Sequence, residues 1–413
     1  MEETAASRRS IRIPIRPLED IRFLGADAKS AALVLFLAAG SLKTGDIENA
    51  LPIDFTVLMA LVLAVIVIIA VVRGRFRVPR QILWIVLLFA LFAVPVAWSP
   101  STPYSHDKVA RLFSLTFLSM AGSMLIIRTS DDLRRLLNAA ALVSVGMVFV
   151  GLVTILREPD VGRLTVAAAT TIALGQYAGA TAIWVMALGL EDKHRRSRLL
   201  LTLLVPILIV EVAAGSRGPM VALAISVVVV GILHGLRGRT VLAGAFAIVV
   251  LLGTLYYGGE YLNLPTRSVI RVTQFLSGEM DESIRQSYLA QGCDIVRKEP
   301  FGIGWGGFGA INGESGRLFP HNLPLEVTME AGWAAGAVYI LIMFLAVYRT
   351  VAISLRTRRA EFIGLASILI FFGVSSLVSG EINDCKWLLA VVSIALAVQA
   401  PPSKLPEGAV ETT

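Results

Sequence analysis

A series of apolar stretches, each bounded by polar residues or by glycine and proline, runs through most of this 413-residue chain. Crossing the hydrocarbon core of a bilayer takes about 20 residues, and within that core only helices and closed barrels satisfy every backbone polar group. Hydrophobic residues make up 56% of the chain and charged residues 16%, whereas soluble domains carry about 25% charged residues. We therefore predict an all-α, polytopic membrane protein with about twelve transmembrane helices. The stretches lie at 29–42, 53–72, 81–97, 109–127, 136–156, 168–190, 199–213, 219–235, 240–257, 321–348, 361–380 and 386–400.

Arginine and lysine cluster in every second connection between these stretches, for example at 73–80 and 191–198. Basic connections lie in the cytoplasm by the positive-inside rule, which also accounts for the net charge of +7 without any nucleic acid partner. Both termini are then cytoplasmic. The first apolar stretch could also be read as a secretory signal, but we favour a retained span because the preceding segment is long and contains acidic residues. The predicted order is a cytoplasmic segment at 1–27, helices one to nine at 28–257, an external segment at 258–320, helices ten to twelve at 321–400 and a cytoplasmic tail at 401–413.

The external segment at 258–320 is the only long connection, and connections of this length are usually functional or disordered. Its stretch DESIRQSYLAQGCDIVRKEP has apolar residues at helical spacing and ends in Pro300, which predicts an amphipathic helix. Such a helix on the membrane surface would hold Arg285 at the level of the lipid headgroups. The alternative is a lid that only covers the helix bundle.

The stretch FGIGWGGFG, which begins at Phe301, contains the formal pattern G-x-G-x-x-G. A dinucleotide site is excluded here because that fingerprint requires a strand before it and a helix after it. A tight glycine turn that returns the chain to the membrane is the better interpretation. His321 and Asn322 follow at the mouth of the tenth predicted span, with Glu326 and Glu330 at intervals of four.

The stretch EVAAGSRGPMVALAIS contains an arginine at the start of the eighth predicted span. Ser216 suits an N-cap and Pro219 a first helical turn, so Arg217 would lie at the positive end of a helix. Backbone N–H groups, helix dipole and guanidinium together favour a phosphate or diphosphate. The alternatives are an arginine that reaches lipid headgroups, or one paired with Glu211.

These stretches together resemble the O-antigen ligase and Wzy-type polysaccharide polymerase superfamily. The similarity rests on AGSRGPMVALAIS, the external segment with its arginine-bearing helix, EPFGIGWGGF, and HNLPLEVTMEAGWAAGAVYILI. It is strong over about 200–350 and weak before that. The resemblance implies a C-type membrane glycosyltransferase fold in the bacterial inner membrane, with its site facing the periplasm. It also implies that a glycan passes from undecaprenyl diphosphate to a sugar hydroxyl without a metal, nucleotide sugar or other cofactor.

The resemblance implies a site made of Arg217, Arg285 and His321. Arginine would neutralise charge that builds on the diphosphate leaving group, and a histidine with a pKa near the working pH would serve as the base for the attacking hydroxyl. Direct displacement of this kind inverts the anomeric configuration. Arg163 and Asn322 are expected to contact substrate, and His106 is a rival base.

Several alternatives stay open in the sequence. The enzyme could polymerise lipid-linked repeat units of O-antigen or exopolysaccharide, which we favour slightly, or ligate the finished glycan to the lipid A core of lipopolysaccharide. A transporter or flippase is a more distant alternative, because paired interrupted spans and midplane charges are not evident. We expect no metal, since Asp46, Glu48 and Asp54 of the first external connection have no partner at ligand spacing. Cys293 and Cys385 are expected to be free thiols, although a bridge between them is compatible with the topology.

Overall fold

A computed structural model describes residues 22–23, 26–43, 51, 53–72, 78–157, 164–191, 199–238, 244, 283–313 and 318–400 of the chain. Of residues 22, 23, 26 and 283–285, only the backbone is described. Asp46, Glu48 and Arg163 lie outside the described residues.

Helices make up nearly all of the described structure, preceded by a small hairpin in which β1 (Arg22–Phe23) pairs antiparallel with β2 (Ala26–Asp27). The first group of helices is α1 (Ala28–Leu42), α2 (Phe55–Val72), α3 (Ile82–Ala93, extended by a 3-10 turn Val94–Trp98), α4 (Pro103–Arg111), α5 (Phe117–Ile126) and α6 (Ser130–Arg157). A π-helical turn, Leu112–Thr116, joins α4 to α5. The second group is α7 (Thr171–Glu191), α8 (Leu204–Ala214, preceded by a 3-10 turn Leu200–Leu203), α9 (Arg217–Leu233), α10 (Ser283–Lys298), α11 (Gly307–Asn312), α12 (Leu323–Thr357), α13 (Ala360–Ser376) and α14 (Lys386–Ala397).

Among the described residues, five helical stretches are long and apolar enough to cross a membrane: Phe55–Val72, Pro103–Ile126, Ser130–Arg157, Thr171–Glu191 and Leu323–Thr357. This confirms a helical, polytopic membrane protein. Every predicted stretch that falls on described residues contains a helix, and the stretch at 240–257 lies outside them apart from residue 244. The number of spans, about twelve, therefore stays a prediction, as do the domain boundaries.

Ion pairs and a hydrogen bond connect several helix ends at one end of the bundle. Lys29 Nζ at the start of α1 lies 2.6 Å from Asp132 Oδ1 in α6. Arg134 of α6 lies 3.0 Å from Glu191 at the end of α7, and Glu191 also accepts a hydrogen bond from the N–H of Ala360 in α13. These contacts agree with the alternation predicted from the basic connections, which places the four helix ends on one side of the membrane. Which side that is stays a prediction.

Two glycines let the central helices α7 and α13 approach closely. A Cβ atom at Gly179 would lie 2.5 Å from the Phe371 ring, and one at Gly364 would lie 2.8 Å from the Trp184 ring. The indole N–H of Trp184 is satisfied inside the bundle by Asn138 Oδ1 at 3.1 Å. Small residues at such contacts are how membrane helices gain packing where lipid offers no hydrophobic driving force.

A glycine breaks α12 a few turns after its start. Gly332 has φ +86° and ψ 172°, a backbone conformation that only glycine adopts without strain. The carbonyls of Met329 and Glu330, which the break leaves without helical partners, accept hydrogen bonds from the N–H groups of Ile303 and Gly304 at 3.0 and 3.1 Å. The chain at 300–305 therefore pairs with the broken helix instead of binding a nucleotide.

Gly302, Gly304 and Gly306 all have φ near +80°. These angles and the pairing with α12 confirm the glycine turn predicted around Phe301. A Cβ at Gly302 would lie 2.5 Å from the carbonyl oxygen of Glu330. The turn carries Trp305 into the core, where its ring is fully buried and its indole N–H donates to the carbonyl of Phe92 at 2.9 Å.

Gly332→Ala should lower stability by more than about 2 kcal/mol, because it adds backbone strain and a Cβ that would lie 2.7 Å from the backbone carbon of Phe301. Thermal unfolding of purified protein in detergent, followed by loss of the monodisperse peak, measures the effect. Gly146→Ala in α6 is the matched control, since no atom of the described residues outside its own helix backbone lies within 4 Å of its added Cβ. Equal melting temperatures for the two variants would contradict this account of the break.

Candidate active site

Arg217 is the first residue of α9 and follows a left-handed turn. Gly215 (φ +63°) ends α8, and Ser216 occupies the N-cap position of α9. Pro219 lies in the first turn of α9 as expected, where its missing N–H is not needed, and it packs against α7 because a Cβ at Gly175 would lie 3.2 Å from it. Arg217 is therefore held at the positive end of a helix whose start is anchored on both sides.

His321 and Asn322 precede α12, and Asn322 is its N-cap residue. Asn322 Oδ1 accepts a hydrogen bond from the N–H of Leu325 at 3.0 Å, and its Nδ2 donates to the carbonyl of Leu377 at 3.1 Å. His321 has φ +57°, and its ring meets the Phe319 ring edge-on at 4.6 Å. Positive φ is uncommon in residues other than glycine, and such strain clusters at functional sites.

The starts of α9 and α12 meet at one short segment, Leu377–Ser379, which follows α13. The Asn322 side chain binds the carbonyl of Leu377, as above, and a Cβ at Gly218 would lie 2.7 Å from Cγ2 of Val378. The structure thus brings the turn that bears Arg217 and the turn that bears His321 to neighbouring residues. This arrangement was not evident in the sequence, where the two turns are far apart.

The other predicted site residues are less fully placed. Arg285 lies in the first turn of α10, and its side chain is outside the described part of the chain. The helix itself was predicted, and it packs against the start of α12, since a Cβ at Gly292 would lie 2.9 Å from Leu325. Arg163 is not described, but the N–H of Leu164 after it donates to the carbonyl of Ala213, just before the Arg217 turn. His106, the rival base, is exposed on α4.

A fully buried ion-pair cluster lies beneath the start of α12, and sequence reasoning missed it. Lys108 Nζ of α4 lies 2.7 Å from Glu326 Oε1 and 2.7 Å from Glu330 Oε2, and all three side chains are completely inaccessible to solvent. The spacing of the two glutamates was noticed, but Lys108 was assigned to an external connection. In fact α4 begins earlier, because Thr102 caps it and Pro103 takes the first position. The cluster fixes the start of α12, and hence the His321 turn, to α4.

The turn between α13 and α14 closes this cluster. Glu381 Oε1 lies 3.9 Å from Lys108 Nζ, and Asn383 donates to the carbonyl of Lys108 at 3.0 Å while accepting from Thr116 Oγ1 at 2.8 Å. Burial raises the pKa of the Glu381 carboxyl, an effect that Lys108 partly offsets and nearby Asp384 reinforces. Three glutamates share one lysine, so the cluster holds more acid than base.

Glu211, near the end of α8, is completely buried. No hydrogen-bond donor among the described residues reaches either of its carboxylate oxygens. The described residues therefore give no support to Glu211 as the partner of Arg217. Cys293 and Cys385 are free thiols, and the described ranges contain no group of three or more His, Cys, Asp or Glu side chains arranged to hold a metal ion.

Comparison with known families assigns the part of the chain that carries these turns. The family model described as O-antigen ligase matches residues 202–340, from just before α8 into α12. This region is similar to the O-antigen ligase family. The resemblance seen in the sequence is thereby confirmed. No curated protein matches the chain.

The matched region contains Arg217, Arg285 and His321, so the match includes the turns of Arg217 and His321 that the structure brings together. The family supports a function of the O-antigen ligase or polymerase type in surface polysaccharide assembly, carried out by a membrane glycosyltransferase-like enzyme on lipid-linked glycans. The buried cluster joins this region to α4 and to the turn after α13, both outside the matched range. Residues outside the matched range therefore also help to hold the candidate site together.

Lys108→Met should cost about 3 to 5 kcal/mol of stability, because removing one partner of a buried ion pair leaves the other charges uncompensated. The matched control is Lys298→Met, which removes a lysine that also lies 2.7 Å from a carboxylate, that of Asp294, but with both side chains more than half exposed. Exposed pairs contribute little. Thermal unfolding in detergent compares the two, and a similar melting temperature for both variants would contradict a fixing role for the cluster.

Glu381→Gln should be tolerated near neutral pH, since the cluster has surplus carboxylates. A carboxyl whose pKa is raised in the folded protein binds its proton more tightly there than in the unfolded chain. Its contribution to stability is therefore complete below the ordinary glutamate value of 4.5 and is lost as the pH rises through the folded value. The melting temperature of the wild type, measured from pH 4.5 upward, should fall more steeply than that of Glu381→Gln. Parallel profiles would show that Glu381 does not titrate in this way.

Proposed function

We propose that this protein transfers a glycan from undecaprenyl diphosphate to a sugar hydroxyl on the periplasmic side of the bacterial inner membrane. The observation that supports the proposal is the meeting of the Arg217 and His321 turns at Leu377–Ser379. A cationic helix start beside a strained histidine turn suits a reaction that needs both anion stabilisation and a base.

Arg217 is the group proposed to bind the diphosphate. Its place at the N-terminus of α9 adds the positive end of the helix dipole to its own charge. Guanidinium binds phosphate oxygens through two parallel hydrogen bonds. Because diphosphate is a good leaving group, charge neutralisation rather than protonation is the help it needs as the glycosidic C–O bond breaks. Each charge-assisted contact contributes roughly 1.5 to 3 kcal/mol.

His321 is the group proposed to take the proton from the attacking hydroxyl, whose oxygen then bonds to the anomeric carbon as the diphosphate departs. This single displacement inverts the anomeric configuration and requires no metal. The positive φ of His321 supports the role, since strain of that kind is retained where the surrounding structure demands one side-chain position.

The remaining predicted residues take supporting roles in the proposal. Arg285 and Arg163 would add positive charge near the diphosphate. Asn322 is expected to act by holding the His321 turn, because both ends of its amide already bind the protein, one to Leu325 and one to Leu377.

Two acceptors are compatible with this chemistry. A polymerase would use a second lipid-linked repeat unit, and a ligase would use the lipid A core. The sequence slightly favours the polymerase, whereas the description of the matching family, O-antigen ligase, favours the ligase. A flippase has no comparable support, because the turns of Arg217 and His321 both precede or begin helices and meet at Leu377–Ser379 instead of lying in the middle of a span.

Proteoliposomes supplied with an undecaprenyl-diphosphate glycan and either acceptor test the proposal. Arg217→Ala and His321→Ala should each lower the transfer rate by about 100-fold or more, with unchanged elution and melting temperature. His106→Ala is the control for the histidine. Arg285→Ala should lower the rate more than Arg297→Ala, which removes an exposed arginine at the other end of the same helix.

Wild-type activity is expected to persist after exhaustive chelation of divalent metals. Normal transfer by both Arg217→Ala and His321→Ala would reject the site, and translocation of the lipid-linked glycan without any new glycosidic bond would reject the transferase. The acceptor that is extended decides between polymerase and ligase.

A further inference from the structure

We propose that Trp98, Phe301 and Trp333 form an aromatic belt that lies in the headgroup interface of the bilayer at the site-bearing end of the helix bundle. Their partner is then a lipid surface. All three side chains are exposed, Trp98 by 41%, Phe301 by 79% and Trp333 by 52%. The inference does not depend on the transferase proposal.

The three residues adjoin one another although they come from different elements. The indole N–H of Trp98 donates to the carbonyl of Gly302 at 3.0 Å, next to Phe301. The backbone N–H of Trp333 donates to the carbonyl of Pro300 at 2.9 Å, on the other side of Phe301. The indole N–H of Trp333 donates a hydrogen bond to the carbonyl of Val296 at 2.7 Å. With their N–H groups bound to the protein, the two indoles present ring surface outward.

Two rows of exposed apolar side chains end at these tryptophans. Within the α-helical parts the residues of each row recur at intervals of four and seven, so they share one face of their helix, and Trp98 follows at the end of the 3-10 turn. On α12 the row is Trp333, Ile340, Phe344, Tyr348 and Leu355, and on α3 and its 3-10 turn it is Leu83, Leu87, Val94 and Trp98. Uncharged, exposed rows on helices of a membrane protein face lipid, and aromatic side chains are enriched where such rows reach the headgroups.

The length of the α12 row matches one hydrocarbon core. From Trp333 to the exposed Arg356 the helix rises about 35 Å at 1.5 Å per residue, against roughly 30 Å for the core plus an allowance for tilt. An arginine is expected at the opposite boundary, where its long side chain reaches the headgroups. Trp333 and Arg356 therefore mark the two edges of the membrane on this helix.

The surface beyond the belt is charged. Asp294, Arg297 and Lys298 are exposed on α10, the helix whose Val296 carbonyl binds Trp333. Charged groups of this density do not enter hydrocarbon, so the boundary must fall between them and the apolar rows. A lipid surface fits this change from apolar to charged across an aromatic row, whereas a protein partner would not require it.

The belt sets the height of the candidate site. The part of α12 before the break at Gly332 rises about 14 Å along its own axis at 1.5 Å per residue, and in this arrangement it lies, with His321 before its start, on the side of the belt away from the hydrocarbon. Phosphate groups of lipids lie in this headgroup region. The buried Lys108 cluster would then lie at the edge of the membrane, not in its middle.

Spin labels at single cysteines test the proposal in nanodiscs of phosphatidylethanolamine and phosphatidylglycerol. Phe301→Cys and Phe344→Cys, each combined with Cys293→Ser and Cys385→Ala, carry a label at the belt and deep in the α12 row. The exposed native Cys293 on α10, in Cys385→Ala alone, is the water-side reference. Accessibility to oxygen relative to a water-soluble nickel complex should be lowest at position 293, intermediate at 301 and highest at 344.

The belt would be overturned if the label at position 301 were as accessible to the nickel complex as the label at 293. It would also be overturned if the label at 301 were as accessible to oxygen as the label at 344. A second measurement keeps an aromatic side chain at each belt position. The emission of Trp98 and Trp333 is the difference between the fluorescence of the wild type and that of Trp98→Phe or Trp333→Phe. Lipids brominated near the headgroup should quench this difference more than lipids brominated near the chain ends do. The residual fluorescence, which includes the fully buried Trp305, should be quenched less, and equal quenching of both components would also reject the proposal.

Discussion

The ion pairs of Lys108 with Glu326 and Glu330 are the constraint on which the site-bearing end of this protein depends. All three side chains are inaccessible to solvent, so none can exchange its partner for water. Desolvating such groups costs several kcal/mol for each ion, and only close pairing offsets that cost. The two carboxylates lie on one face of α12 because they are four residues apart. One ammonium group can therefore hold two successive turns of this helix, which defines both its rotation and its height against α4.

The rest of the site follows from that fixed helix start. Asn322 caps it and reaches the carbonyl of Leu377, and Gly218 at the start of α9 packs against the next residue, Val378. Ile382, in the same connection, donates its N–H to Glu326 Oε1 at 3.4 Å. The connection between α13 and α14 is thus bound at several points to the helices that carry Arg217 and His321. A shift of α12 would have to move this connection and α9 with it.

Part of this arrangement was accessible to sequence reasoning and part was not. The Ser-Arg-Gly-Pro turn could be predicted from the sequence, since a cap residue, a glycine and a proline at the first turn together indicate a helix start. The glycine turn at 302–306 could likewise be predicted from composition and flanking elements. Lys108 could not, because its partners are remote in sequence and a lone lysine near a span end is most simply assigned to a connection. The positive φ of His321 also could not be predicted, because histidine adopts that conformation in only a small share of its positions even though it does so more often than most residues.

The break at Gly332 explains how a helix can serve both the membrane and a site. Below the break, α12 exposes an apolar row that needs only lipid as its partner. Above it, the helix packs against α10 at Leu325 and is bound through polar contacts to the chain at 300–305 and to Lys108. An unbroken helix would direct the carbonyls of Met329 and Glu330 along its own axis, and the N–H groups of Ile303 and Gly304 would lose their acceptors. Because those bonds also position Trp305 in the core, the glycine couples the packing of the bundle to the geometry of the His321 turn.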